Sequence, residues 1–161
     1  MKSFWLFIFL LVGIQPLFAQ DLSQQVVAGR VNDPLQSKKP YVIYISADGF
    51  RYDYAERYQA KNLLALIEKG VKAVSMKPSY PSVTFSNHYT LATGMYPSHH
   101  GIVNNSFYDP KRHEMYVKTD RSAVSDSTWY GGLPIWVLAE QQKMLSAAFY
   151  WLGSETAVQG V

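Results

Sequence analysis

The chain has 161 residues, of which 48% are hydrophobic and 17% charged, and its formal net charge is +3. This composition is enough for one packed core and excludes an intrinsically disordered chain. Because the Lys and Arg residues form no long basic stripe, we expect no nucleic-acid-binding surface. The absence of cysteine from the sequence excludes disulfides, thiolate zinc ligands and cysteine nucleophiles, so any metal ligand has to be Asp, Glu, His or a hydroxyl oxygen.

Residues 1–19 have the layout of a secretory signal peptide. Lys2 provides a positive charge, residues 4–14 form an apolar stretch, and Ala19 precedes the expected cleavage point. The apolar stretch is shorter than the roughly 20 residues that span a bilayer, so we expect export without a stable membrane anchor. The predicted location is periplasmic or secreted, and residues 20–40 are predicted to be a polar linker.

From residue 41 onward the pattern alternates between strand and helix. Residues 41–45 form a continuous apolar run, which is typical of a strand buried on both faces of a parallel sheet. Apolar residues at helical spacing follow over 60–67, with Gly70 at the expected cap, and a second strand is predicted over 71–76. A strand, a helix and a strand in this order predict a right-handed crossover and a parallel sheet.

The remaining elements continue the α/β pattern. A helix is predicted over residues 84–93, closed by Gly94. Pro134 suits the first position of a later helix that runs through residue 142. A further strand is predicted over residues 146–151, so the fold class is α/β throughout.

Three polar residues, two at the ends of these predicted elements and one in a later loop, are candidates for chemistry. Asp48 comes directly after the first strand, where ligands gather in parallel sheets, and a carboxylate there suits a divalent metal. Thr84 opens a helix, whose unpaired N–H groups and dipole favour a phosphate and an alkoxide. Asn105 lies in a later loop, and its amide is a suitable donor to a phosphoryl oxygen. Taken singly, each also fits a structural role, as a turn Asp, a capping Thr and a turn Asn.

The four histidines show no metal-binding spacing such as His-Glu-x-x-His. His99 and His100 are adjacent, and adjacent loop residues rarely face one ion, so we expect structural roles for both. His88 lies one turn after Thr84, and we expect it to pack or form a hydrogen bond within that helix.

Several segments, taken in order, resemble the nucleotide pyrophosphatase/phosphodiesterase family of the alkaline phosphatase superfamily. These segments are residues 46–51, 81–89, 93–103, 105–110, 132–136 and 151–155. The resemblance implies an alkaline-phosphatase-like α/β fold, in which helices flank a mostly parallel central sheet.

The resemblance also implies a reaction. Asp48 and Thr84 would bind one of two zinc ions, and Thr84 would attack phosphorus to give a phosphothreonine intermediate. Asn105 would hold a non-bridging phosphate oxygen, and Phe85 would line the pocket for a nucleobase or other leaving group. The implied substrate is a small-molecule phosphodiester or nucleotide. The family's other metal ligands come later in the chain, and no Asp or His follows Asp126 here.

We therefore expect residues 41–161 to be the truncated N-terminal part of a catalytic domain, inactive by itself. Two alternatives stay open for the protein. One is a zinc-dependent alkaline phosphomonoesterase with the same Thr nucleophile, and the other is a non-catalytic secreted binding module. Phe85, an aromatic residue suited to stacking on a base, favours the diesterase over the monoesterase. The joint presence of Asp48, Thr84 and Asn105 favours an enzyme over a binding module.

Overall fold

The structure, a computed structural model, describes residues 28–160. The predicted signal peptide and its cleavage point lie outside the described residues. The contacts reported below lie in one compact unit that begins at Val31. Within the described part of the chain, no helix is both long and apolar enough to cross a membrane. The α-helices and β-strands of the described residues are α1 (Tyr54–Arg57), α2 (Lys61–Lys69), α3 (Thr84–Thr93), α4 (Pro97–His100), β1 (Ser106–Asp109), β2 (Glu114–Val117), α5 (Arg121–Val124) and α6 (Ile135–Gln141), and two short 3-10 helices cover Ser127–Trp129 and Val158–Gly160.

The three helices predicted from sequence patterns are confirmed. Helix α3 begins and ends at the predicted residues, and Gly94 caps it in the left-handed conformation with φ 69°. Helix α2 also ends at its predicted glycine, although Gly70 has φ −122° and is not left-handed. Helix α6 follows Pro134, which occupies the N-cap position and not the first helical position. Glycine without a Cβ and proline with a fixed φ mark these boundaries locally.

The sheet differs from the prediction. The sheet formed by the described residues is a two-stranded antiparallel hairpin, in which β1 pairs with β2 from Ser106↔Val117 to Asp109↔Glu114. The strands predicted over 41–45, 71–76 and 146–151 form no ladder within residues 28–160. Their apolar side chains are largely exposed, as in Val42 at 82% and Val71 at 101%. A strand requires a hydrogen-bonded neighbour, and an apolar run in the sequence does not supply one.

The hairpin was not predicted from the sequence. Its turn begins at Asp109, whose Oδ1 accepts hydrogen bonds from the backbone N–H of Lys111 at 2.7 Å and of Arg112 at 3.2 Å. His113 completes the turn with a positive φ of 56°. The Asp109-Pro110 pair is a turn signal of the kind that the side chain of Asp creates by mimicking a backbone turn.

An aromatic core joins α3 to this hairpin. Tyr116 of β2 is fully buried and stacks on Phe107 of β1 at 5.2 Å. On the helix side, the buried ring of Tyr89 meets Tyr130 edge-to-face at 5.3 Å. Aromatic pairs of this geometry stabilise a fold by about 0.5–1.5 kcal/mol each beyond their burial. Ile102, in the loop that precedes β1, belongs to the same buried cluster as Tyr89, so the core packs α3 against that loop.

The described part of the predicted linker is bound to the segment after α6. The Asn32 side chain accepts a hydrogen bond from the Leu145 N–H at 2.6 Å. The Asp33 N–H donates to the Lys143 carbonyl at 3.0 Å, and the Gln36 amide donates to the Gln142 carbonyl at 3.1 Å. These bonds hold residues 32–36 beside the C-terminal end of α6.

Candidate active site

The hydroxyl of Thr84 faces the carboxylate of Asp48. Thr84 Oγ1 donates a hydrogen bond to Asp48 Oδ2 at 3.1 Å, across 36 positions of the sequence. The N-cap residue of α3 is Val83, which makes no side-chain capping bond. Thr84 is thus the first helical residue, and its hydroxyl is directed to Asp48 and not to the helix backbone. The capping role that Thr84 alone could have suggested is not the one found.

A tight turn brings Asp48 to this position. The Phe50 N–H donates to the Ala47 carbonyl at 3.3 Å, which closes a turn around Asp48 and Gly49. Gly49 has a positive φ of 66°, a conformation that a residue with a Cβ adopts only with strain. The backbone of this turn therefore favours glycine at position 49. Asp48, beside it, is exposed to solvent.

Asn105 reaches the same end of α3. Its Oδ1 accepts a hydrogen bond from the Phe85 N–H at 3.0 Å. This N–H is one of the groups at a helix N-terminus that have no partner inside the helix. Among the described residues, nothing accepts a hydrogen bond from the Asn105 amide nitrogen. The side chain is therefore anchored through its oxygen, and its two N–H groups can serve a ligand.

Phe85 contacts both the core and a groove. Its half-buried ring packs 6.3 Å from Tyr116. A groove of about 1060 Å³ passes the same residue, and Asp48, Thr84 and Trp151 also line it. Phe85 therefore packs against the core and lines the groove at the same time.

Two of the histidines, His88 and His100, have local roles of the predicted kind. His88 Nδ1 lies 2.8 Å from the Thr84 carbonyl, one turn back along α3. His100 is fully buried, whereas His99 is exposed. The structural roles predicted for His88 and His100 are confirmed by these contacts and by burial.

Two aromatic residues at the groove were missed by the sequence analysis. Tyr44 stacks on Trp151 with ring centroids 4.8 Å apart, and His88 meets the same indole at 6.3 Å. Tyr44 and Trp151 belong to segments that were predicted as strands, and no local signal distinguishes them from core residues.

The oxygen atoms of Asp48 and Thr84 suit a divalent metal by their chemistry. Zinc accepts carboxylate ligands, and a two-metal hydrolase positions its nucleophile beside one ion. In residues 28–160, no group of three or more His, Asp or Glu side chains could hold a metal ion. Within the described residues, the oxygen atoms of Thr84 and Asp48 are 3.1 Å apart and joined by a hydrogen bond.

The sequence profile described as type I phosphodiesterase / nucleotide pyrophosphatase matches residues 42–161. An uncharacterised pyrophosphatase/phosphodiesterase of Schizosaccharomyces pombe is 43% identical over 136 residues, which are 84% of this chain and 28% of that protein. Ectonucleotide pyrophosphatase/phosphodiesterase family member 1 of Mus musculus is 36% identical over 132 residues, or 80% of this chain and 14% of the relative.

Venom phosphodiesterase 2 of Crotalus adamanteus is also similar, with 36% identity over 135 residues that cover 83% of this chain and 16% of the venom protein. The chain spans less than a third of the length of each of these three relatives.

Proposed function

Because the chain belongs to the type I phosphodiesterase / nucleotide pyrophosphatase family, we propose that the protein hydrolyses phosphodiester or pyrophosphate bonds. Its substrates are small molecules, namely nucleotides or related compounds. The observation that supports this proposal best is the meeting of Asp48, Thr84 and Asn105 at the N-terminus of α3. Thr84 Oγ1 lies 3.1 Å from Asp48, and Asn105 is bonded to the next helical residue at 3.0 Å.

The proposed reaction has two steps. Thr84 Oγ1 loses its proton to solvent and attacks phosphorus, so that a new oxygen–phosphorus bond forms and the bond to the leaving-group oxygen breaks. Water then attacks the phosphorus of the phosphothreonine ester; its oxygen stays on the released product, and one of its protons restores the Thr84 hydroxyl. The Asp48 carboxylate orients the hydroxyl through the hydrogen bond at 3.1 Å. The dipole and unpaired N–H groups of α3 favour both the phosphoryl anion and the alkoxide that attacks it.

Asn105 has a separate role in this proposal. Its oxygen stays bonded to the Phe85 N–H at 3.0 Å, which aims the amide nitrogen away from the helix. That nitrogen donates to a non-bridging oxygen as negative charge develops there. The ring of Phe85 offers a stacking surface to the nucleobase or aryl leaving group in the groove.

We further propose that Asp48 and Thr84 are ligands of one of two zinc ions. Bound zinc lowers the pKa of a coordinated hydroxyl and neutralises charge on the phosphoryl group. The additional ligands come from outside residues 28–160, and these residues alone are expected to be inactive. Export to the periplasm or beyond the cell is proposed from residues 1–19, which lie outside the described part.

The test compares two chromogenic substrates, the p-nitrophenyl ester of thymidine monophosphate and p-nitrophenyl phosphate. It uses the protein from its full reading frame with zinc, and the variants Thr84→Ala and Thr84→Ser. Thr93→Ala is the matched control, because Thr93 is on the same helix and its hydroxyl bonds only to nearby backbone groups. It donates to the Tyr89 carbonyl at 2.8 Å and accepts from the Met95 N–H at 3.3 Å. We expect preference for the diester, loss of at least about 10³-fold in kcat for Thr84→Ala, and partial activity for Thr84→Ser.

The other outcomes separate the alternatives. Preference for p-nitrophenyl phosphate contradicts the diesterase and favours the phosphomonoesterase. No hydrolysis of either ester by the zinc-loaded protein contradicts an enzyme and favours the binding module. Equal activity of Thr84→Ala and Thr93→Ala contradicts the assignment of the nucleophile.

A further inference from the structure

His100 is a fully buried titratable residue that the proposed reaction does not use. It ends α4, and its side chain is 0% exposed. Nδ1 of the ring accepts a hydrogen bond from the Ile102 N–H at 3.2 Å. Nε2 lies 3.0 Å from Thr90 Oγ1. Because Nδ1 is an acceptor, the proton of the neutral ring is on Nε2, and Nε2 donates to Thr90.

The surroundings keep this ring neutral. Burial lowers the pKa of His100 to about 4, although a hydrogen bond with the backbone of Ser86 opposes the effect. The ring also meets Tyr89 edge-to-face at 5.0 Å. At neutral pH the side chain is therefore a fixed donor on one nitrogen and a fixed acceptor on the other.

The donor side is joined to the helix that carries Thr84. Thr90 lies almost two turns further along α3, and its Oγ1 also accepts a hydrogen bond from the Ser79 hydroxyl at 3.2 Å. The Ser79 N–H in turn donates to Asn87 Oδ1 at 3.1 Å. These bonds attach the segment that precedes α3 to the body of the helix. The position of Thr84 is therefore fixed by the segment before it and by the helix after it.

The acceptor side is joined to the loop that carries Asn105. Ile102 is fully buried and leads through two residues to Asn105, whose Oδ1 returns to the Phe85 N–H at 3.0 Å. A closed circuit results, which runs from α3 through His100 and Ile102 to Asn105 and back to the first turn of α3.

We propose that His100 is a positioning residue, which sets the separation between the nucleophile Thr84 and the phosphate-binding Asn105. The inference rests on the proposed function, because it assigns His100 to the same site. A displacement of about 1 Å in a catalytic arrangement can reduce the rate by 10²-fold, because the interactions gained in the transition state depend on alignment. Loss of the link therefore lowers kcat, and substrate binding in the groove changes little.

Four variants in two pairs test the circuit. Thr90→Val removes the acceptor at nearly constant volume, and Thr90→Ser restores it. His100→Asn keeps an acceptor near Ile102 and loses the reach to Thr90, whereas His100→Gln places an amide nitrogen near the position of Nε2. His99→Gln is the matched control, because His99 is the exposed neighbour.

In the protein from its full reading frame, we expect Thr90→Val and His100→Asn to lower kcat for the thymidine diester by 10- to 100-fold, with KM within threefold. Thr90→Ser and His100→Gln recover most of kcat, and the double variant Thr90→Val/His100→Asn is no slower than the slower single variant, because both changes break one link. Amide hydrogen exchange at Phe85 is expected to accelerate in Thr90→Val and in His100→Asn, and to stay unchanged in His99→Gln.

Melting temperatures and far-ultraviolet circular dichroism establish that each variant is folded. Folded Thr90→Val and His100→Asn proteins with wild-type kcat and wild-type exchange at Phe85 overturn the proposal. So does a loss of kcat that follows melting temperature alone and is not recovered by Thr90→Ser. Absence of diester hydrolysis in the wild-type protein is a different result, which refutes the proposed function, and the exchange rates at Phe85 then test the circuit independently.

Discussion

Asn105 makes two contributions that can be separated by substitution. Its oxygen accepts from the Phe85 N–H at 3.0 Å, which is a capping bond from a distant residue, and its amide nitrogen is proposed to bind phosphate. Asn105→Ala removes both contributions. Loss of a cap costs about 1 kcal/mol of unfolding free energy, and loss of one donor to developing charge costs about 10²–10³ in kcat.

Asn105→Asp separates the two effects. A carboxylate still accepts from the Phe85 N–H, and a negative charge at a helix N-terminus stabilises by about 0.3–1 kcal/mol. The free energy of unfolding is therefore expected to equal or exceed that of the wild type. The donor is replaced by a charge that repels phosphate, so kcat is expected to fall at least as far as in Asn105→Ala.

Urea unfolding and steady-state hydrolysis of the p-nitrophenyl ester of thymidine monophosphate measure the two quantities on the same preparations. A kcat of Asn105→Asp within threefold of the wild type would refute the role of the amide nitrogen. Destabilisation of Asn105→Asp equal to that of Asn105→Ala would refute the capping role of the oxygen.

Three further predictions concern packing, pH and metal. Gly153→Ala should lose about 2–4 kcal/mol of unfolding free energy in urea, because the new Cβ would lie 2.9 Å from Tyr89 Cε2 at a φ of 87°. Gly94→Ala, where the Cβ would meet open space at a φ of 69°, should lose less. Equal losses in the two variants would contradict a steric clash at Gly153. Between pH 6.5 and 4, His100 binds a proton in the unfolded chain but not in the folded protein, where it is buried. The free energy of unfolding should therefore fall as the pH falls, by up to about 3 kcal/mol. His100→Gln should flatten this dependence, and an unchanged slope would contradict it. Removal of metal ions with a chelator should abolish diester hydrolysis, and added zinc should restore it. The Asp48→Asn variant should require a higher zinc concentration for the same recovery. Hydrolysis that resists the chelator would contradict a metal site.

The parts of the structure that the sequence predicts are those set by neighbouring residues. Helix α3 and its left-handed cap follow from the pattern over 84–93 and from Gly94, both of which act within a few residues. The turn at Asp48 and Gly49 is equally local. The roles of Asp48, Thr84, Phe85 and Asn105 came from family resemblance, and those roles stay predictions although three of the side chains meet at one helix end.

The parts that were not predicted depend on residues distant in the chain. The apolar run over 41–45 has strand composition, yet a ladder needs a partner that the run does not specify. The link from His100 to Thr90 joins two helices through one imidazole, and no pattern in the sequence indicates which ring nitrogen faces which partner. The hairpin at Asp109 is the exception, because its turn signal is local and was overlooked.

In the proposed reaction, hydrolysis passes through a covalent ester on Thr84. The most direct test uses a thymidine p-nitrophenyl phosphorothioate of one configuration at phosphorus, hydrolysed by the zinc-loaded protein in oxygen-18 water. Two successive displacements invert phosphorus twice, so the account predicts a product with retained configuration by phosphorus NMR. Inversion of configuration would show direct attack by water and would contradict a nucleophilic role for Thr84.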